Sequence, residues 1–334
     1  MFYRAFGLGL AVDRPIAGLA GSPTAAHADV RISLGSMPAW RDDLIRSCAE
    51  VWHVRTDPGG ADAPPLLTMW KLSREHIRLL YGDGVDFLLD RSGSRIWATW
   101  PGSLTPDDVS SYLLGPILGY VLRLRWITGL HASGIVIDGR AALFVGASGA
   151  GKSTTAAAFL ANGHRVLADD VVPVSQEGGL WLVRPGYPRL RLWPSAIKAA
   201  GHAGALSVEL DSLPADRRHH LNLADRAHGF QYDPLPLGAV YLLGERSYDP
   251  GAPVIGPIEP ANGLMALVAN TFANTLLDSD ARRREFDELS RMAADVPIRR
   301  VCAHADAARL DELCGAILED FRTCVRAKAL ARAE

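Results

Sequence analysis

Eight consecutive residues near the middle of the chain have types and spacing that do phosphate chemistry. Gly146, Ala147, Ser148, Gly149, Ala150, Gly151, Lys152 and Ser153 fit the pattern G-x-x-x-x-G-K-[ST] in full, and Thr154 follows. Glycines let successive backbone N–H groups turn inward and cradle phosphate oxygens. A helix starting at Lys152 points its positive end at the same anion. Lys152 can then reach the β- and γ-phosphates as a point charge, and Ser153 can give an oxygen to Mg²⁺. The competing reading is a chance match in an Ala- and Gly-rich chain. The context speaks against it: apolar Ala141–Val145 precedes the loop and the Ala-rich, helical Lys152–Ala161 follows. The loop implies ATP and Mg²⁺ but names no reaction. Neither Asn-Lys-x-Asp nor Leu-Ser-Gly-Gly-Gln occurs, which disfavours GTPases and ABC-type ATPases.

Asp169 and Asp170 stand 17 and 18 residues after Lys152, at the end of the apolar run Val166–Ala168. A strand returning from the loop's helix brings them beside the phosphates. Two adjacent carboxylates there can divide the labour, one facing Mg²⁺ and the other an incoming hydroxyl. The competing reading is a solvated Asp-Asp turn. His131 lies 15 residues before Gly146, ahead of the hairpin that feeds the loop. Its side chain can reach Asp169 or Asp170, although a lone histidine is more often structural.

Arg189 and Arg191 alternate with Leu190 and Leu192, so both cations point to one face of a strand. Such a face suits a carboxylate or phosphate, and a peptide C-terminus fits; a half-exposed strand with surface arginines is the equal alternative. Arg217, Arg218, His219 and His220 form a basic cluster that reads as a solvated loop, with a mobile loop near the phosphates as the alternative. Cys48, Cys302, Cys314 and Cys324 form no CxxC pair and lack histidines at zinc-ligand spacing; Cys314 and Cys324 fall on a helical apolar stripe and read as core.

The elements that must hold these groups follow from periodicity. Phe2–Val12, Val30–Leu34, Leu66–Leu72, Val85–Leu89 and Arg95–Trp100 read as strands, separated by turn chemistry at Pro58-Gly59-Gly60, Pro64-Pro65, Asp83-Gly84 and Ser92-Gly93. Thr105 caps a helix that Pro106, Asp107 and Asp108 favour and that Gly115-Pro116 kinks or restarts. Asp138-Gly139 marks a hairpin between Gly134–Ile137 and Ala141–Val145. Val171–Val174 pairs with Leu180–Val183, Ala239–Leu243 is a further strand, and Leu310–Phe321 carries a helical stripe. The expected architecture is α/β, with a β-rich domain over 1–104 and a phosphate-loop domain over 105–334.

The chain has 334 residues, a formal charge of −2 and 48% apolar residues. These values exclude a disordered or collagen-like chain. Near-neutral charge argues against nucleic acid as the partner. The longest near-continuous apolar run, Tyr112–Leu122, is too short for a membrane span. The apolar start from Met1 resembles a signal peptide, but Asp13 and Arg14 interrupt it, so it reads as a first strand. The expected location is the cytoplasm.

Three segments together resemble a known family in order and spacing: His131-x-Ser-Gly134, Gly146–Ser153, and Gly163-His-Arg-Val-Leu-Ala-Asp169-Asp170. They resemble the core of HPr kinase/phosphorylase, over about residues 128–176. The resemblance implies a fold akin to phosphoenolpyruvate carboxykinase and phosphorylation of a serine in a protein. It also implies Asp169 as general base, Asp170 assisting the metal or His131, and a homo-oligomer, since HPr kinases form rings. Two departures stand out. HPr kinases have Glu where this chain has Thr154, and their Arg-Gly-rich dephosphorylation segment has no counterpart here. Tyr3–Leu8, Pro185–Pro194 and Pro234–Gly244 instead look like the HPr-kinase-like proteins of ribosomal peptide biosynthesis, including lasso peptide kinases, which modify a C-terminal serine. The expected activity is therefore an ATP- and Mg²⁺-dependent serine kinase acting on a peptide or small protein; an HPr-type protein serine kinase, a small-molecule hydroxyl kinase and a non-catalytic ATP-sensing regulator are the alternatives.

Overall fold

Strands with an apolar inner face dominate the first part of the computed structural model, which describes residues 1–19, 21, 27–56, 65–201, 218–224, 229–273 and 277–331. They are β1 (Phe2–Ala5), β2 (Leu8–Val12), β3 (Val30–Leu34), β4 (Ala49–Arg55), β5 (Leu67–Leu72), β6 (His76–Tyr81), β7 (Asp86–Asp90) and β8 (Arg95–Thr99), with α1 (Arg41–Cys48) before β4. They form one sheet in the order β1-β2-β3-β8-β7-β6-β5-β4. The single strand expected over Phe2–Val12 is a hairpin, because Phe6 and Gly7 both take positive φ. Val30–Leu34 forms as expected, while α1, β4 and β6 are additions. Pro58–Gly60 and Pro64 lie outside the described residues.

Thr105 and Asp108 close a capping box on α2 (Pro106–Tyr112). A π-helical turn over Leu113–Ile117 absorbs Pro116, and α3 (Leu118–Leu124) continues. The chain divides at Ile127/Thr128, so these helices fall within the first unit and not, as the 104/105 boundary expected, with the phosphate loop. Side-chain contacts give the reason. Tyr112 donates to Asp83 at 2.6 Å and packs on Tyr81 at 4.3 Å between ring centroids, and Tyr120 meets Trp52.

The second unit opens with β9 (Thr128–Leu130), β10 (Ala132–Ile137) and β11 (Arg140–Val145), then α4 (Lys152–Ala161), β12 (Val166–Asp169), β13 (Val172–Glu177) and β14 (Leu180–Val183). After β15 (Arg189–Leu192), α5 (Pro194–Gly201) and β16 (His219–Asn222) come β17 (Leu235–Leu243), β18 (Val254–Pro257), α6 (Pro260–Ala269), α7 (Ser279–Asp295), β19 (Ile298–Cys302) and α8 (Leu310–Ala331). The sheet order is β12-β10-β11-β17-β14-β13-β9, with β19 on β17 and β18 on β19; β11, β17 and β19 pair in parallel, and the other pairs are antiparallel. Mixed strands with helices on both faces make an α/β unit. Ile135, Ile137 and Phe144 pack with Ala156–Phe159 of α4 and with Ile317 and Phe321 of α8. Leu143, Val145 and Leu167 pack on the other face with Leu267 of α6 and Leu289 and Met292 of α7. No described helix is long and apolar enough to cross a membrane.

Two registers position the site. The β10–β11 hairpin turns at Asp138-Gly139, both with positive φ, and sets Ala132 opposite Val145. His131 therefore sits beside the point where the phosphate loop begins. On its other edge β10 pairs with β12, with Ser133 opposite Asp169. Because β10 is antiparallel to both neighbours, β12 runs in the direction of β11 and delivers the aspartates to the loop's edge of the sheet.

Candidate active site

Backbone geometry closes the loop. Gly146, Gly149 and Gly151 have φ of +149°, +85° and +105°, values that side chains resist. A Cβ on Gly146 would come within 2.8 Å of the Leu243 carbonyl, and one on Gly151 within 2.8 Å of the Arg246 guanidinium. Ala150 N–H donates to the Ala147 carbonyl at 3.1 Å, turning the loop tip. Lys152 is buried, and its ammonium donates to the carbonyls of Gly146 (2.8 Å) and Ala147 (3.1 Å). Burial lowers its proton affinity; the charges of Asp170 and Asp169 oppose that.

A cavity of about 210 Å³ is lined by Ser148, Gly149, Gly151, Lys152, Ser153 and Thr154 of the loop, and by both aspartates and His131. The three sequence segments thus meet in one place. Asp169 is only 5% exposed. Its Oδ1 accepts from Ser133 Oγ at 2.5 Å and from Ser153 Oγ at 2.9 Å, and its Oδ2 accepts from Arg191 N–H at 3.3 Å. Burial pushes its carboxyl above the ordinary range, with the neighbouring Asp170 charge adding, against the hydrogen bonds of Ser133, Arg191 N–H and Ser153. Asp170 takes φ +67°, which turns its side chain elsewhere. That side chain is 42% exposed and meets His131 Nε2 at 3.3 Å. Burial opposes its ionisation, but the His131 hydrogen bond and the charges of His131, Arg191 and Arg218 hold its carboxyl below the ordinary range.

The arginine pair separates. Leu190 and Leu192 are buried, and Arg189 is buried as well, at 9% exposure, outside the cavity lining. Arg191 is exposed and lines the cavity. The basic cluster read as a solvated loop is in part a strand: His219 and His220 belong to β16, Arg218 lines the cavity, and Arg217 lies outside the described residues. Cys314 is buried as expected and Cys324 half-buried; both are free thiols.

Three contributors were not visible in the sequence. Ser133 holds Asp169, and only its position in the His131-x-Ser-Gly segment hinted at it. Asn270, at the end of α6, accepts from Gly146 N–H on its side chain (2.9 Å) and from His131 N–H on its backbone carbonyl (2.7 Å). Trp193 carries the Arg218 guanidinium 5.5 Å from its ring centroid.

Fold and site together define an α/β protein whose phosphate loop, aspartate pair and histidine share one cavity. No family model matches the chain. Curated relatives named HPr kinase/phosphorylase match parts of it: 38% identity over 74 residues with the protein from Lactobacillus delbrueckii subsp. bulgaricus, covering 22% of this chain and 23% of that one. The Clostridium kluyveri protein is 35% identical over 78 residues (23% and 25%), and that of Listeria welshimeri 41% over 61 (18% and 20%). The alignments thus span about a quarter of the relatives' length. The HPr(Ser) kinase/phosphatase structure from Coxiella burnetii aligns at a TM-score of 0.31 and 12% identity, over 62% of this chain and 99% of that one. Over these segments the chain is similar to HPr kinase/phosphorylase.

Proposed function

We propose that this protein is an ATP- and Mg²⁺-dependent kinase that phosphorylates a serine of a peptide or small protein. The observation that carries the proposal is the placement of Asp169, bonded to the phosphate-loop Ser153 and lining the same cavity as Lys152. A carboxyl whose proton affinity is raised by burial is suited to general base work. Asp169 accepts the acceptor hydroxyl's proton as the serine oxygen bonds to the γ-phosphorus and the bond to the leaving ADP oxygen breaks. Lys152 exchanges its loop carbonyls for phosphate oxygens and balances their charge, while the loop's N–H groups hold the transferring group in line. Asp170, held ionised by His131, keeps negative charge at the mouth of the site.

Ser153 Oγ and the two carboxylates form an oxygen-only donor set, which fits Mg²⁺, an ion commonly held by one or two carboxylates plus phosphates and water. No cluster of three or more His, Cys, Asp and Glu occurs among the described residues, in keeping with a metal that arrives with the nucleotide. Ser153 and Asp170 are the residues that would hold it, and Mg²⁺ would supply charge neutralisation to the nucleotide's phosphate oxygens.

The finer reading is a ribosomally made precursor peptide of the lasso type, phosphorylated at a C-terminal serine by a cytoplasmic homo-oligomer. Its support is the likeness of Pro185–Pro194 and Pro234–Gly244 to such kinases. The relatives' name points to HPr as the acceptor of those proteins, so HPr belongs in the same test. The full chain is incubated with ATP and Mg²⁺ alone, with HPr, and with peptides ending in serine. ATP use is followed together with intact mass. Phosphate found on a serine acceptor is the expected result. ATP turnover that never yields a phosphorylated acceptor, or failure to bind ATP, overturns the proposal.

A further inference from the structure

Lys152 is not the only cation lining the cavity. Arg191 and Arg218 also line it; Arg191 is on β15, and Arg218 immediately precedes β16, the strand that pairs antiparallel with β15. Arg191 lies between the buried Leu190 and Leu192 and opposite His220 in the register, and Arg218 immediately precedes His219, which pairs with Leu192. Leu190, Leu192 and Leu221 anchor this strand pair in the core. The Arg218 guanidinium is further held over Trp193, whose indole is 44% exposed. Among the described residues, no carboxylate lies within ion-pair distance of either guanidinium; the ion pair in the cavity is that of His131 with Asp170. Both cations still act on the site, since their charges help to hold Asp170 ionised.

Position relative to Asp169 separates this pair from the phosphate loop. Oδ1 of Asp169 faces Ser153 and Ser133, while Oδ2 faces the backbone of Arg191. An acceptor whose hydroxyl reaches Asp169 can therefore extend its remaining atoms along the β15 side. Guanidinium forks match planar or tetrahedral oxyanions, and the stacking of Arg218 on Trp193 reduces the entropy its side chain loses on binding them.

We propose that Arg191 and Arg218 form an oxyanion subsite, separate from the phosphate loop, that binds an anionic group carried by the acceptor beside its hydroxyl. This rests on the kinase reading above and narrows its substrate class to acidic acceptors. A chain-terminal carboxylate and an acidic side chain next to the serine supply the same chemistry.

The test keeps the two readings apart. Binding of Mg²⁺ with a non-hydrolysable ATP analogue is measured first, on the wild type, Arg191→Gln and Arg218→Gln. With the analogue saturating, three N-acetylated tetrapeptides are titrated: Ala-Ala-Ala-Ser as the free acid, the same peptide amidated, and amidated Ala-Ala-Asp-Ser. Tryptophan fluorescence reports binding, and Trp193→Phe identifies the responding indole. The free acid, the Asp peptide or both bind about tenfold or more tightly than the neutral amide, the difference identifies the source of the anion, and each Arg→Gln variant removes the preference while analogue affinity holds. Equal binding of charged and neutral peptides, no peptide binding at all, or a parallel loss of analogue affinity in the variants overturns the subsite. Failure of the wild type to bind the analogue instead overturns the kinase reading.

Discussion

Ser133→Ala probes the proposed base without touching it. Ser133 is 1% exposed and donates to Asp169 Oδ1 at 2.5 Å, so the substitution deletes one oxygen and leaves a buried carboxylate short of a donor. A hydrogen bond to a charged group is worth about 1.5–3 kcal/mol. At about 1.4 kcal/mol per pH unit, its loss moves ionisation of Asp169 upward by about one to two pH units. The base works ionised, so the acid limb of the pH profile of kcat/KM must move to higher pH by that amount. Activity falls about tenfold or more on the acid side and recovers on the alkaline side. Stability moves in the matching direction. The proton affinity of Asp169 is already raised in the folded state, so its contribution is present below the ordinary 3.8 and is lost as pH rises through the raised value. The variant's melting temperature should therefore match wild type in acid and fall below it as pH increases. The assay is a pH series of phosphoryl transfer to the acceptor found above, alongside thermal unfolding in the same buffers. A uniform fall in rate with an unmoved acid limb would refute Asp169 as the titrating base.

Three further outcomes follow from the same geometry. Asn270→Ala removes the acceptor for Gly146 N–H but leaves the backbone bond to His131. Analogue affinity should drop about 2- to 13-fold, the equivalent of about 0.5–1.5 kcal/mol, as read by calorimetric titration. Gly146→Ala and Gly149→Ala both force a side chain into positive φ, but only the first brings a Cβ against backbone, at 2.8 Å from the Leu243 carbonyl, whereas nothing lies within 4 Å of the second. The first should cost about 1–3 kcal/mol more than the second in chemical unfolding. His131→Ala releases Asp170, whose depressed proton affinity gives stability present above the ordinary 3.8 and lost as pH falls through the lower folded value; the melting-temperature gap to wild type should be open near neutral pH and close in strong acid.

What could be read from the sequence was local, and what could not was the product of packing. The phosphate loop is legible because all its determinants are contiguous and its strand and helix flank it directly. The start of α4 at Lys152 and the Asp138-Gly139 turn were readable for the same reason. Asn270 was not, because it reaches Gly146 from 124 residues away through the packing of α6 beside the start of β10. Alternation placed Arg189 and Arg191 on one face of a strand, but period-2 spacing does not say that a face runs from buried to exposed within two residues. The charged segment Arg41–Arg55 carries little apolar patterning, so the mostly exposed β4 and the short α1 before it have no clear periodic signal.

The aspartate pair shows why spacing alone could not divide the labour between two adjacent carboxylates. Consecutive residues of an extended strand would place both side chains in similar depth at its end, one on each face. The positive φ of Asp170 breaks that symmetry, since the strand stops at Asp169 and the backbone turns locally, with Val171 N–H donating to the Asp169 carbonyl at 2.8 Å. Asp169 is left inside, among two serine hydroxyls and one backbone N–H, where burial outweighs three hydrogen bonds and raises its proton affinity. Asp170 is carried outward to a histidine and two guanidinium charges, which together outweigh its own desolvation and lower its proton affinity. Environments that drive two neighbouring groups in opposite directions assign their roles: the one that gains protons readily is the base, and the one that stays charged is the electrostatic partner. Gly adopts left-handed φ freely, so Asp170→Gly should keep the local turn and Asp169's placement while removing the outer charge. Transfer by that variant should retain an acid limb, displaced to lower pH because a like charge beside Asp169 has gone. An acid limb that disappears would mean that Asp170, and not Asp169, takes the proton.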